Sequence, residues 1–128
     1  MKDYLLNMEQ KSEIEITEFE GGAVAAFRSA SLSDVEQLRL VSKDIDGYVS
    51  AKMPHRLVVD FTGVKFFSSQ VLGILLQLRS RMAKYGGFVV ISGINPQLYR
   101  VFKITNLEKI FEFYSDRQSA VAADKSEH

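Results

Sequence analysis

At 128 residues, with no formal net charge and no cysteine, the chain has the size of one domain and can bury a single core without disulfide staples. The missing thiols exclude disulfides, thiolate metal sites and cysteine nucleophiles, and the balanced charge argues against nucleic acid or an anionic membrane surface as main partner. Hydrophobic residues at 46% beside charged ones at 25% are the usual mixture of a soluble globular chain.

The opening stretch, MKDYLLNMEQKSE, lacks an apolar core of signal-peptide length. No apolar run approaches the roughly 20 residues of a membrane span, so cytoplasmic residence without membrane insertion is expected. Residues 1–12 read as a flexible arm whose Tyr4, Leu5, Leu6 and Met8 could pack on the domain or on a second copy in a homo-oligomer. One domain is expected over residues 13–123, with a frayed tail at 124–128.

Ile14 and Ile16 alternate with Glu13, Glu15 and Thr17, the period of a half-buried strand. Gly21-Gly22 turns the chain, and Ala23 to Phe27 forms the return strand of a hairpin. Ser29 to Ser33 is a loop, with Ser33 as expected cap for a helix that carries Asp34 and Glu36 in its first turn. Val35, Leu38, Val41, Ile45 and Val49 mark that helix's inner face, and Met53-Pro54 ends it.

Leu57 to Phe61 is a buried strand with Asp60 set into it, closed by Thr62-Gly63. Past Val64 to Phe67, two serines open a helix on which Val71, Leu75, Leu78 and Met82 share one face. Leu72, Ile74 and Leu76 widen the stripe, and Gly86-Gly87 stops the helix. Ser68 or Ser69 is placed to accept from an open backbone N–H at its start. A serine in this position is most often a cap and nothing more.

Phe88 to Ile91 is all apolar, as parallel pairing with both faces covered requires. Asn95-Pro96 opens a short helix with Leu98, Val101 and Phe102 inward, closed by Thr105 to Leu107. Ile110, Phe111 and Phe113 form a last strand, and Asp116 to Ala123 a last helix. The order β-β-α-β-α-β-α-β-α predicts an α/β fold, a mixed, mostly parallel sheet with helices packed against it through right-handed crossovers.

No catalytic motif is visible. His55 and His128 have no second histidine or carboxylate at ligand spacing, so no metal site is expected. Phosphate-cradling loops and nucleophile elbows are absent as well, and no cofactor is implied. Asp60 reads as a turn-bonding residue before it reads as a catalytic one.

The run DFTGVKFFSSQVLG, from Asp60 to Gly73, resembles the signature of the STAS domain, the fold of bacterial anti-sigma-factor antagonists. Val64, Phe66, Leu72 and Gly73 fall on that family's apolar and glycine positions, and Ser69 on its phosphorylatable serine or threonine. Ser68 stands where the family has aspartate, Gln70 where it has a second hydroxyl, and Val71 where it has glycine. INPQLYRVFKITNLEKIF is similar to the family's later pattern of proline, short apolar helix and turn into the last strand.

The resemblance implies a STAS-like fold and a non-catalytic module that sequesters an anti-sigma-factor serine kinase to regulate transcription. It implies phosphorylation at Ser69, or alternatively Ser68. The implied docking patch is Ser68, Ser69, Gln70 and Leu72, flanked by Ser29, Ser31 and Ser33. The other role open to such a chain is that of a structural STAS subunit in a signalling scaffold or lipid-transport complex.

Overall fold

The computed structural model describes residues 13–123; the expected arm at 1–12 and tail at 124–128 lie outside that span. In chain order the elements are β1 (Ile14–Phe19), β2 (Gly22–Phe27), β3 (Ser31–Leu32), α1 (Val35–Lys52), β4 (Arg56–Asp60), β5 (Phe66–Phe67) and α2 (Gln70–Ala83). Then follow β6 (Phe88–Ser92), α3 (Pro96–Ile104), a 3-10 turn (Leu107–Lys109), β7 (Glu112–Tyr114) and α4 (Arg117–Ala122).

Five strands form one sheet in the order β1-β2-β4-β6-β7, antiparallel for β1 with β2 and parallel for the rest. The mixed, mostly parallel sheet of the sequence reading is therefore present. β3 and β5 add a two-stranded parallel ribbon that periodicity did not reveal. The last strand starts later than expected: Ile110 and Phe111 precede it, and only Glu112 to Tyr114 pair with β6.

Alternation along the strands sends Ala23, Ala25, Phe27, Leu57, Val59, Val89 and Ile91 into the main core, where α1, α2 and α3 pack. Leu38, Val41, Ile45 and Val49 supply the inner face of α1, as their spacing requires. Val35, on the first turn of α1, departs from it and is 68% exposed. Leu76 likewise faces outward, whereas Leu72 is buried. A chain of tilted and edge-to-face rings (Phe27, Phe61, Phe67 and Phe102, with centroids 4.9 to 6.0 Å apart) forms the floor beneath the loops at the C-terminal ends of the strands.

The opposite face of the sheet carries a smaller cluster, Val24, Ala26, Val58 and Val90, onto which α4 places Ala120. Six residues make a helix that is marginal alone, so its docking must come from elsewhere. β4 supplies it. Arg56 and Asp60, four residues apart, point to the same face of the strand. Arg117 reaches Asp60 Oδ2 from Nη2 at 2.9 Å and from Nε at 3.3 Å. Arg56 donates to the carbonyls of Val121 and Ala123 at 2.7 and 3.2 Å. Anion at the helix start and cation at its end both match the helix dipole. Burial lowers the pKa of Arg56, but a guanidinium stays charged at any physiological pH.

Candidate protein-docking site

The C-terminal ends of the parallel strands gather the loops of the candidate site. Asp60 ends β4 at 1% exposure, and its Oδ1 accepts from Thr62 Oγ1 at 2.9 Å and Ser92 Oγ at 2.7 Å. With the two Arg117 bonds on Oδ2, each carboxylate oxygen is engaged by the fold. Gly93 makes room for this: a Cβ there would stand 2.3 Å from Thr62 Oγ1, and its φ of +68° is one that glycine adopts without strain. Asp60 thus has the turn-bonding role that its position suggested.

Beyond Asp60 the chain is tied at nearly every step. Phe61 N–H donates to Ser92 O at 2.8 Å, Val64 N–H to Phe61 O at 2.9 Å, and Asn95 Nδ2 to Val64 O at 3.1 Å. Lys65 N–H donates to Ala30 O at 2.8 Å and Ser68 N–H to Leu32 O at 3.0 Å. This is how the loop at Ser29 to Ser33 comes to lie beside the start of α2. The register pairs Ser31 with Phe66 and Leu32 with Phe67. Leu32 and Phe67 point into the core, which turns Ser31 and Phe66 outward; Phe66 is 55% exposed.

The structure therefore brings Ser31, Ser33, Ser69 and Gln70 to one exposed surface, with Ser29 and Ser68 partly covered beside them. Ser29 Oγ is spent locally on the carbonyl of Ser31 at 2.8 Å. Leu72 does not belong to this surface. At 7% exposure it fills the core, and Gly73 and half-buried Ile74 take its place at the rim.

Both serine cap expectations need correction. The cap of α1 is Asp34, whose Oδ2 accepts from Gln37 N–H at 2.8 Å, and not Ser33. A carboxylate at a helix start gains from the dipole as well as the hydrogen bond, so it prevails over the neighbouring hydroxyl. At α2, Ser69 occupies the cap position with helical φ and ψ (−61°, −17°), a conformation that turns its hydroxyl away from the first N–H groups, and it makes no side-chain cap bond. The Ser68 hydroxyl is buried without a hydrogen-bond partner. Instead Val71 and Leu72 donate to the carbonyls of Ser68 and Ser69, each at 3.0 Å.

From Gln70, next to Ser69 in the chain, a cleft of about 570 Å³ runs between α1 and α2, lined by Val35, Arg39, Gly73, Ile74 and Gln77 among others. Phe66 and Val35 were not read as surface residues from sequence. For Phe66 the signal was present in the two-residue alternation Phe66-Phe67, but two residues are too few to fix a phase. Among the described residues no cluster of carboxylates and histidines could hold a metal ion, and no helix is long and apolar enough to cross a membrane.

Comparison with known proteins bears on this geometry. The STAS domain family model matches residues 4–120. A STAS-domain containing protein of Pseudomonas aeruginosa is 29% identical over 59 residues, a match that spans 46% of this chain and 58% of that one, so the chain covers little more than half of its relative. Among solved structures, an anti-sigma-factor antagonist (STAS) domain protein from Planctomyces limnophilus superposes with a TM-score of 0.75 at 20% identity, covering 86% of this chain and 95% of its own. An anti-sigma factor antagonist from Mycobacterium paratuberculosis gives 0.73 at 24%, covering 84% and 89%. The phosphorylated form of the Bacillus cell fate determinant SpoIIAA gives 0.67 at 14%, covering 84% and 96%. At these identities the likeness is one of fold.

Proposed function

The chain belongs to the STAS domain family, and from that premise we propose that it is a cytoplasmic anti-sigma-factor antagonist. In this reading it is a non-catalytic binding module that sequesters an anti-sigma-factor serine kinase, regulates transcription and is switched by phosphorylation of Ser69. The observation that carries it is the exposed Ser69 at the open start of α2, with its hydroxyl uncommitted to capping.

The physics has two sides. A phosphate on Ser69 would sit at the positive dipole end of α2, so the modification is compatible with the fold. The same group sets close to two negative charges in the middle of the surface made by Ser31, Phe66, Gln70 and the α1–α2 cleft. Lost complementarity at a docked patch is worth several kcal/mol. The switch therefore acts on association and leaves the fold intact. A catalytic role finds no support in Asp60, whose oxygens are directed at Thr62, Ser92 and Arg117 and away from solvent.

Affinity for the anti-sigma factor separates the outcomes. Ser69→Ala should bind like the parent, and Ser69→Glu should bind on the order of a hundredfold more weakly, about 2.7 kcal/mol. Equal affinity of the two variants would remove the switch from this residue. A second reading, a structural STAS subunit of a signalling scaffold or lipid-transport complex, is favoured by Ser68, Gln70 and Val71 standing where the family signature has aspartate, hydroxyl and glycine.

A further inference from the structure

The formal charges cancel over the whole chain, but they are not mixed evenly. Residues 13–60 hold nine carboxylates and five cations, whereas residues 61–123 hold eight cations and three carboxylates. The sheet order carries part of this division into space: β1, β2 and α1 stand toward one end and β6, β7 and α3 toward the other, while the cations of α2 lie between, with Arg81 paired to Asp46 of α1 at 3.6 Å.

At the basic end, Ile104 is 73% exposed and Ile110 is 38% exposed. Arg100, Lys103 and Lys109 stand beside them in the chain, all exposed, with Arg100 one helical turn before Ile104 on the same side of α3, and they outnumber the two carboxylates that flank Ile110, half-buried Glu108 and exposed Glu112. An apolar centre with a charged rim is the anatomy of a docking surface. At the acidic end, β1 closes the sheet, and no strand pairs beyond it among the described residues. Tyr48 donates to Glu18 at 2.7 Å, which brings that side of α1 against β1. Asp44, one turn before Tyr48, therefore shares this edge with Glu18, and the exposed Glu20 follows in the hairpin turn.

We propose that the chain associates with itself head to tail, the acidic β1 edge of one copy seated on the Ile104–Ile110 surface of the next. Pairing either edge with its own likeness would set like charges together, so a two-fold dimer through these surfaces is disfavoured. Unlike edges on opposite ends of one molecule give a heterologous contact that repeats. The contact is electrostatically assembled and is therefore salt-sensitive, because the Debye length shrinks from about 30 Å at 0.01 M to about 3 Å at 1 M. The inference does not depend on the phosphorylation reading, and Ser69 lies on neither edge.

Equilibrium sedimentation of the full chain tests it. In about 0.01 M salt the mean mass should climb with concentration past twice the 14.5 kDa of one chain, and in about 1 M salt it should return to 14.5 kDa. Glu20→Lys with Asp44→Lys spoils one edge, and Ile104→Asp spoils the other, all at exposed positions; each variant alone should remain at single-chain mass. An equimolar mixture retains one good pairing and should stop at two chains. A single-chain mass for the parent at every concentration in low salt, an association indifferent to salt, or a mixture that stays at single-chain mass would each overturn the proposal.

Discussion

Among the described residues, three of the four helices begin alike and one does not. Asp34, Asn95 and Asp116 stand before α1, α3 and α4 in extended backbone, and each accepts from the N–H three residues on, at 2.8, 2.9 and 2.8 Å. Ser69 stands before α2 in helical backbone and accepts from none of them. The difference separates side chains used to fasten the fold from one held in place by its neighbours. The start of α2 is fixed from outside, by the β3–β5 ribbon and by Phe67 in the aromatic floor, so its own hydroxyl is left for other use.

Breaking the fastened starts should therefore be expensive, and altering the other should not. Asn95→Ala ought to have the largest effect, about 2 kcal/mol in chemical denaturation, because Asn95 also donates to Val64 O and that carbonyl would lose its partner. Asp34→Ala, losing a cap alone, should cost about 1 kcal/mol. Gly73→Ala should raise stability by about 0.8 kcal/mol, since nothing stands within 4 Å of the added methyl. Gly47→Ala, equally open in α1, should do the same. Of the two, Gly73 alone lines the α1–α2 cleft, so only its variant should also weaken binding of the proposed kinase partner; equal binding by both would show the cleft to be unused.

Ser69→Ala should shift the unfolding midpoint by less than the equivalent of about 0.5 kcal/mol, the range of surface substitutions without a cap to lose. The smallest effect is one of pH. The Ser119 backbone N–H beside Asp116 holds that carboxyl below its usual 3.8. A depressed carboxyl pKa means that the bond stabilises α4 above the unfolded value and is lost as pH falls through the folded one. Amide exchange in α4 should therefore accelerate below about pH 4, while α2, which has no carboxylate cap, is unchanged. Equal acceleration in these two helices would contradict it.

Much of this architecture was legible because long apolar patterns report burial. Leu38 to Val49 and Val71 to Met82 each repeat often enough to fix a helical face, and Phe88 to Ile91 is apolar throughout because α2 packs on one face of β6 and α4 on the other. What escaped was short or distant. β3 and β5 have two residues each, and no period can be read from two. Ser33 and Asp34 are both good caps, and only the register of α1 decides between them. Arg117 is separated from Asp60 by 57 residues, and nothing local to either announces the other. For Ser69 the sequence placed the residue at the right junction, but exposure and the missing cap bond are facts of backbone geometry.

The two charges on β4 bear on how the chain is made. Arg56 and Asp60 leave the ribosome well before their partners, which lie 57 to 67 residues downstream. Until α4 has been synthesised, both side chains must keep water around them. A half-built sheet with bare Val24, Val58 and Val90 would invite sticking to other nascent chains, and the hydrated pair guards that side until the C-terminal helix arrives to cover it.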